Sequence, residues 1–185
     1  MEHPLKKFHF CPVCGSPEFE ENNIKSKRCR KCGFVYYANP CSATVAFIVR
    51  AANGSSKPNE LLVARRAKEP AKGTLDIVGG FVDMEETAEE GLLREIYEET
   101  GMTIEHGATY LFSIPNLYEY SGMTVHTLDM FYLVCVDGDA EPHADDDVAE
   151  LQWIPFDKVD ASLFGLRSIS QGVRRFINER DKFIK

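Results

Sequence analysis

Residues 79–102, GGFVDMEETAEEGLLREIYEETGM, decide more about this chain than any other stretch. Two glycines open it, an acid-rich segment follows, and Gly101 closes it. At about 100° per residue the segment reads as one helix from Thr87 to Thr100. Glu95, Glu98 and Glu99 then fall at i, i+3 and i+4, one above another on a single face. Leu92, Leu93, Ile96 and Tyr97 make an adjoining apolar flank that needs a core. Like charges at this spacing repel by about 0.2–0.5 kcal/mol per pair. A hard divalent cation removes that repulsion, since Mg²⁺ takes oxygen ligands and prefers carboxylates together with substrate phosphates.

The flanks suit such a site. Residues 74–78, TLDIV, read as a short strand that leads into the glycines. Gly79 and Gly80 let the main chain approach a ligand closely, and the Gly79 carbonyl is a further oxygen donor. Gly101 stands where a helix C-cap glycine belongs. Arg94 lies four residues before Glu98, within reach of that carboxylate.

From Gly80 the residues run G-x5-E-x7-R-E-U-x-E-E-x-G-U, with U apolar: Gly80, Glu86, Arg94, Glu95, Ile96, Glu98, Glu99, Gly101 and Met102. This pattern resembles the signature of the Nudix hydrolases. The resemblance implies an α/β fold, an α/β/α sandwich with a mixed β-sheet. It implies hydrolysis of a nucleoside diphosphate linked to a second moiety, with Glu95, Glu98, Glu99 and the Gly79 carbonyl on Mg²⁺ or Mn²⁺. Glu98 and Glu99 are the first choices as ligands. Glu95 ligates directly, ligates through water, or acts as base. Glu86 sits at the rim, and Arg94 orients its neighbours. Many members add a later carboxylate; Glu150, three residues before Trp153, is preferred here over the run Asp145, Asp146, Asp147. A small-molecule nucleotide substrate and a homodimer are the expected partners.

The six cysteines divide into four and two. Cys11, Cys14, Cys29 and Cys32 form C-P-V-C-G and C-R-K-C-G, the paired knuckles of a tetrahedral Cys₄ zinc site. Two disulfides are the competing reading, disfavoured without a secretion signal. Cys41 and Cys135 are expected to be small buried hydrophobes. Residues 1–36 thus read as a zinc ribbon stabilised by structural Zn²⁺, and 37–185 as the hydrolase domain. Ribbon followed by Nudix domain is also the arrangement of NADH pyrophosphatases. That likeness is partial: their S-Q-P-W-P-F-P-x-S motif does not follow Met102, and their larger N-terminal domain has no counterpart in these residues.

The net charge of −8 argues against a general nucleic-acid surface but not against a phosphate-bearing substrate beside a bound cation. The ribbon's basic residues, Lys25, Lys27, Arg28, Arg30 and Lys31, are set down first to a structural knuckle and second to RNA contact. With no apolar run of about 18 residues and no signal-peptide pattern in MEHPLKKFHF, no membrane span is expected and the compartment is expected to be the cytoplasm.

Further strands are expected at 41–50, 61–66, 108–115, 123–136 and 149–154, with an acidic loop at 137–147 and an amphipathic helix at 166–183. Residues 116–122 read as a tyrosine-bearing turn. Tyr118, Tyr120, Phe81 and Phe112 are candidates for stacking on a base, although aromatic residues are more often core. The alternative function is a non-catalytic Nudix protein that senses nucleotides and docks through its ribbon. The complete carboxylate set favours catalysis.

Overall fold

The computed structural model describes residues 2–144 and 148–184, in two compact units. The first comprises Met1–Cys41 and Leu117–His126, the second Ser42–Asn116 and Thr127–Lys185. In the first unit, strands β1 (Phe19–Asn23), β2 (Ser26–Cys29) and β3 (Val35–Tyr37) form an antiparallel sheet in that order. Its interior is small. Cys11, Phe19 and Cys29 are buried, with Phe8 and Phe34 against them, which is too little apolar surface to hold a fold unaided.

The second unit is built on a six-stranded sheet. Strands β4 (Cys41–Arg50), β5 (Glu60–Arg66), β6 (Leu75–Asp76), β7 (Thr109–Tyr120) and β8 (Met123–Val136) follow the order β6-β5-β4-β8-β7, and β9 (Val148–Pro155) pairs with β5. Alternation along β4 sends Val45, Phe47 and Val49 into one core and Ala46 and Ile48 into another. Each face therefore needs a cover. Helix α1 (Ala88–Thr100) covers one with Leu92 and Ile96, and helix α2 (Arg167–Phe183) covers the other with Ile169, Val173 and Phe176. The α/β/α layering expected from the sequence is the layering observed.

Helix α1 starts where its cap permits. Thr87 accepts the amide of Glu90, whose carboxylate reaches back to the Thr87 amide, a reciprocal capping box. Gly101 closes the helix in the left-handed conformation at φ 69° and donates its amide to the Tyr97 carbonyl.

Three expectations need correction. Strand β7 does not end near Pro115 but runs to Tyr120, and the turn shrinks to Ser121 and Gly122, with φ of 50° and 73°. Positive φ at both central residues is what a two-residue hairpin turn needs to match the strand twist. Cys41 and Cys135 are exposed, not buried, because each lies at the end of a strand outside its covered run. Phe112 is core, stacked on Phe131 with centroids 5.0 Å apart, and is not available to a ligand. The Asp145, Asp146 and Asp147 run lies outside the described residues.

Phe176 lies fully buried against Phe47, with ring centroids 4.3 Å apart. Phe176→Ala is expected to cost about 3–5 kcal/mol by opening a cavity between α2 and the sheet. Trp153, the single tryptophan and a residue of β9, reports this as a lower urea midpoint in fluorescence.

Candidate functional site

The glutamate face of α1 is turned toward Gly79 and Gly80, and the contacts are close. The Gly79 amide donates to Glu99 Oε2 at 3.1 Å. A Cβ built on Gly80 would stand 2.5 Å from the Glu95 carboxyl carbon, so only glycine leaves room for that carboxylate. Gly79 has φ 146°, and a Cβ there would meet the Thr44 carbonyl oxygen at 2.1 Å. The Thr44 amide donates to the Gly80 carbonyl at 2.8 Å and the Ala46 amide to Val78 at 2.9 Å, which fixes the glycine loop against β4.

Arg94 is the hub of this face. Its Nε and Nη2 donate to Glu86 Oε1 and Oε2 at 2.8 and 3.0 Å, a bidentate fork. Nη2 also donates to the Phe81 carbonyl at 3.0 Å. Nη1 donates to Glu95 Oε1 at 2.8 Å and Glu98 Oε2 at 3.0 Å. Every N–H of the guanidinium is thereby used. The Arg94 and Glu98 contact was expected from the sequence. The Glu86 fork was not, because the two residues are separated by a loop and a helix turn whose geometry no spacing reveals. Glu86 is held further by the Asp83 amide at 3.0 Å.

Two of the three carboxylates on Arg94 respond in opposite directions. The Arg94 hydrogen bond and the Asp83 amide hold Glu86 down at about 2. Burial pushes Glu95 up from the ordinary carboxylate range, and outweighs both the hydrogen bond and the charge of Arg94. Gly91, buried in α1, lets the loop lie against the helix: a Cβ there would stand 3.1 Å from Glu86 Oε2 and 3.4 Å from the Val82 Cα.

Glu150 lies elsewhere. It stands opposite Arg65 in the β5 and β9 ladder and accepts from Arg65 Nε at 3.3 Å. Strand alternation puts it on the face of Gln152 and Ile154, while Leu151 and Trp153, partly buried, pack against the core under α1.

In the first unit, Cys11, Cys14, Cys29 and Cys32 place their sulfurs all within 4.8 Å of one another. The pairs Cys11 with Cys32 and Cys14 with Cys29 are 3.7 and 3.6 Å apart. Sulfurs bonded at about 2.3 Å to a tetrahedral ion lie about 3.8 Å apart, so the spacing suits a metal and is far too long for a disulfide. The Cys32 amide, 3.5 Å from Cys29 Sγ, brings the Cys29 thiol down to about 7. At Cys32 the Phe34 amide favours the thiolate, but burial and the neighbouring thiols prevail and push it up to about 12. Four crowded thiols ionise together only around a cation. Among the described residues this is the only group of three or more His, Cys, Asp or Glu drawn so tightly together.

The NUDIX domain family matches residues 42–175. The chain belongs to the NUDIX family. It is 30% identical over 106 residues to a NAD-capped RNA hydrolase NudC of Vibrio parahaemolyticus, covering 56% of this chain and 37% of that protein. It is 29% identical over 148 residues to the NudC of Deinococcus radiodurans, covering 80% of this chain and 49% of that protein. The chain thus spans half or less of the length of these two relatives. Among solved structures, a NUDIX hydrolase from Nitrosomonas europaea superposes with a TM-score of 0.63 at 19% identity, over 94% of this chain and 92% of that one. The NUDIX domain of Shewanella oneidensis NrtR, solved with ADP ribose, also gives 0.63, at 16% identity over 80% of this chain and 90% of that one. At these identities the two structures support the fold alone. No helix among the described residues is long and apolar enough to cross a membrane.

A carboxylate whose folded pKa is raised lowers stability above that pKa and leaves it untouched below the unfolded value. Glu95→Gln is therefore expected to raise the thermal midpoint at pH 7 in magnesium-free buffer. The gain should shrink toward zero as the pH falls below about 4.5. Trp153 fluorescence melts across pH 3–8 measure it.

Proposed function

We propose that this chain is a metal-dependent pyrophosphohydrolase acting on the diphosphate linkage of a nucleoside diphosphate derivative, ADP-ribose-like or NADH-like. One observation carries this reading: Glu95, Glu98 and Glu99 stand on one helix face against the Gly79 and Gly80 backbone. The atoms there that could ligate a metal are all oxygens, which is the chemistry of Mg²⁺ or Mn²⁺. The names of the curated relatives, which act on NAD-capped RNA, support a diphosphate between two nucleotide-like halves.

We assign Glu98, Glu99 and the Gly79 carbonyl as metal ligands, with Glu95 completing the set. When bound, the ion screens the diphosphate charge and lowers the pKa of a water. Glu95, half-buried beside Glu98 and held by Arg94, is placed either to ligate the ion, directly or through water, or to orient that water and take its proton. Arg94 positions Glu95 and Glu98, and Glu86 positions Arg94. Glu150 would have to leave Arg65 to join the site, so we give it a secondary part.

In the ribbon we assign Zn²⁺ to Cys11, Cys14, Cys29 and Cys32, where it would supply the folding energy that so small a core lacks. Unbridged thiols and thiolate-bound zinc suit a reducing compartment, the cytoplasm. A homodimer is part of the proposal and is read from light scattering.

A panel of ADP-ribose, NADH, NAD-capped RNA, diadenosine polyphosphates and dNTPs, incubated with Mg²⁺, is expected to release nucleoside monophosphate from at least one member. Glu98→Gln should lower that turnover by about 10²-fold or more. Binding to a panel compound without turnover of any would favour a nucleotide sensor instead. Native mass spectrometry is expected to show one zinc per chain, lost in Cys14→Ser.

A further inference from the structure

We infer that Arg94 Nη1 occupies the place of a divalent cation, so that metal uptake at Glu95 and Glu98 exchanges one cation for another. This rests on the ligand set proposed above, and it concerns what holds that set together before metal arrives.

The guanidinium has two ends with different duties. Nε and Nη2 are tied down by the Glu86 fork and the Phe81 carbonyl, both N-terminal to α1. Nη1 alone reaches the glutamate face, where it bridges Glu95 Oε1 and Glu98 Oε2 at 2.8 and 3.0 Å. One positive nitrogen shared between two carboxylates is the arrangement a bridging metal would adopt, at a longer radius. Mg²⁺ takes oxygens at about 2.0–2.1 Å, so both carboxylates must draw inward when the ion replaces the nitrogen.

Two further observations agree. Glu95, Glu98 and Glu99 do not form a group with all donors within 4.8 Å of one another, as the four cysteines do. They are spread over Arg94 and the Gly79 amide instead. An arginine also keeps its charge at any working pH, so it leaves these carboxylates by displacement, not by deprotonation. Glu86 limits the competition: anchored from behind, the guanidinium cannot advance further between Glu95 and Glu98. Arg94 is on this account a positioning residue that also sets the metal affinity.

The test is Mn²⁺ binding to the zinc-loaded protein, followed by electron paramagnetic resonance of the free ion, with no substrate present. Arg94→Gln is expected to bind Mn²⁺ about three- to fivefold more tightly than wild type. Arg94→Lys, which keeps the charge, should show no such gain. Glu86→Gln frees the guanidinium to settle on Glu95 and Glu98 and should bind more weakly, while the double variant Glu86→Gln with Arg94→Gln should recover tight binding. Equal or weaker binding by an Arg94→Gln protein whose Trp153 fluorescence is native overturns the exchange and leaves the ligand set standing. Recovery absent in the double variant also overturns it. A wild type that binds no Mn²⁺ overturns the ligand set and the exchange together.

Discussion

Strand β4 is buried on both faces, and that single fact dictates the rest of the second unit. A strand with Val45, Phe47 and Val49 on one side and Ala46 and Ile48 on the other has no surface to give to water. Two helices must cover it. Once Leu92 and Ile96 seat α1 on one face, the orientation of that helix is no longer free. The flank that carries Glu95, Glu98 and Glu99 is turned to the glycine loop, which β4 itself holds through the amides of Thr44 and Ala46. Hydrophobic burial, worth about 25 cal/mol per Å² of apolar surface, thus aims a set of charges it does not touch.

Those charges would be a liability if left alone. Burial already disfavours the ionised form of Glu95. Arg94 lowers the local negative field, yet it is itself held by Glu86, whose carboxylate remains ionised well into acid. The result is a chain of alternating charge, Glu86, Arg94, then Glu95 and Glu98, running from the loop to the helix face. Three of its members lie on the helix that Leu92 and Ile96 seat on the sheet, and the fourth, Glu86, is tied to them through the arginine.

How much of this could be read from the residues depends on the range of the interaction. Helical periodicity put the three glutamates on one face, and the C-cap followed from Gly101, because these are contacts within about one turn; the Thr87 and Glu90 capping box was met only in the structure. The four knuckle cysteines were legible because metal geometry constrains their spacing. The β7 and β8 hairpin was legible as two strands and a turn, but not the reach of its first strand. Pro115 reads as the end of a strand, but β7 continues past it, since proline interrupts a ladder only where its missing N–H faces a partner. The Glu86 fork on Arg94 was equally hidden, because a turn at Glu85 with φ 68° brings the two together. Cys41 and Cys135 misled for a simpler reason: local hydrophobicity says that a strand is covered, not how far the cover reaches.

Gly91 shows what the loop and the helix have agreed between them. Glycine within a helix gives up roughly 1 kcal/mol relative to alanine, and Gly91 is the fourth residue of a helix of 13. Val82 and the Glu86 carboxylate lie close around the place a methyl would take, at 3.4 and 3.1 Å. A methyl added there would press on the Glu86 carboxylate at 3.1 Å, which would have to give by a few tenths of an ångström while keeping its fork on Arg94. Helix propensity and the seating of the arginine's acidic partner thus meet at a single position in the first turns of the helix.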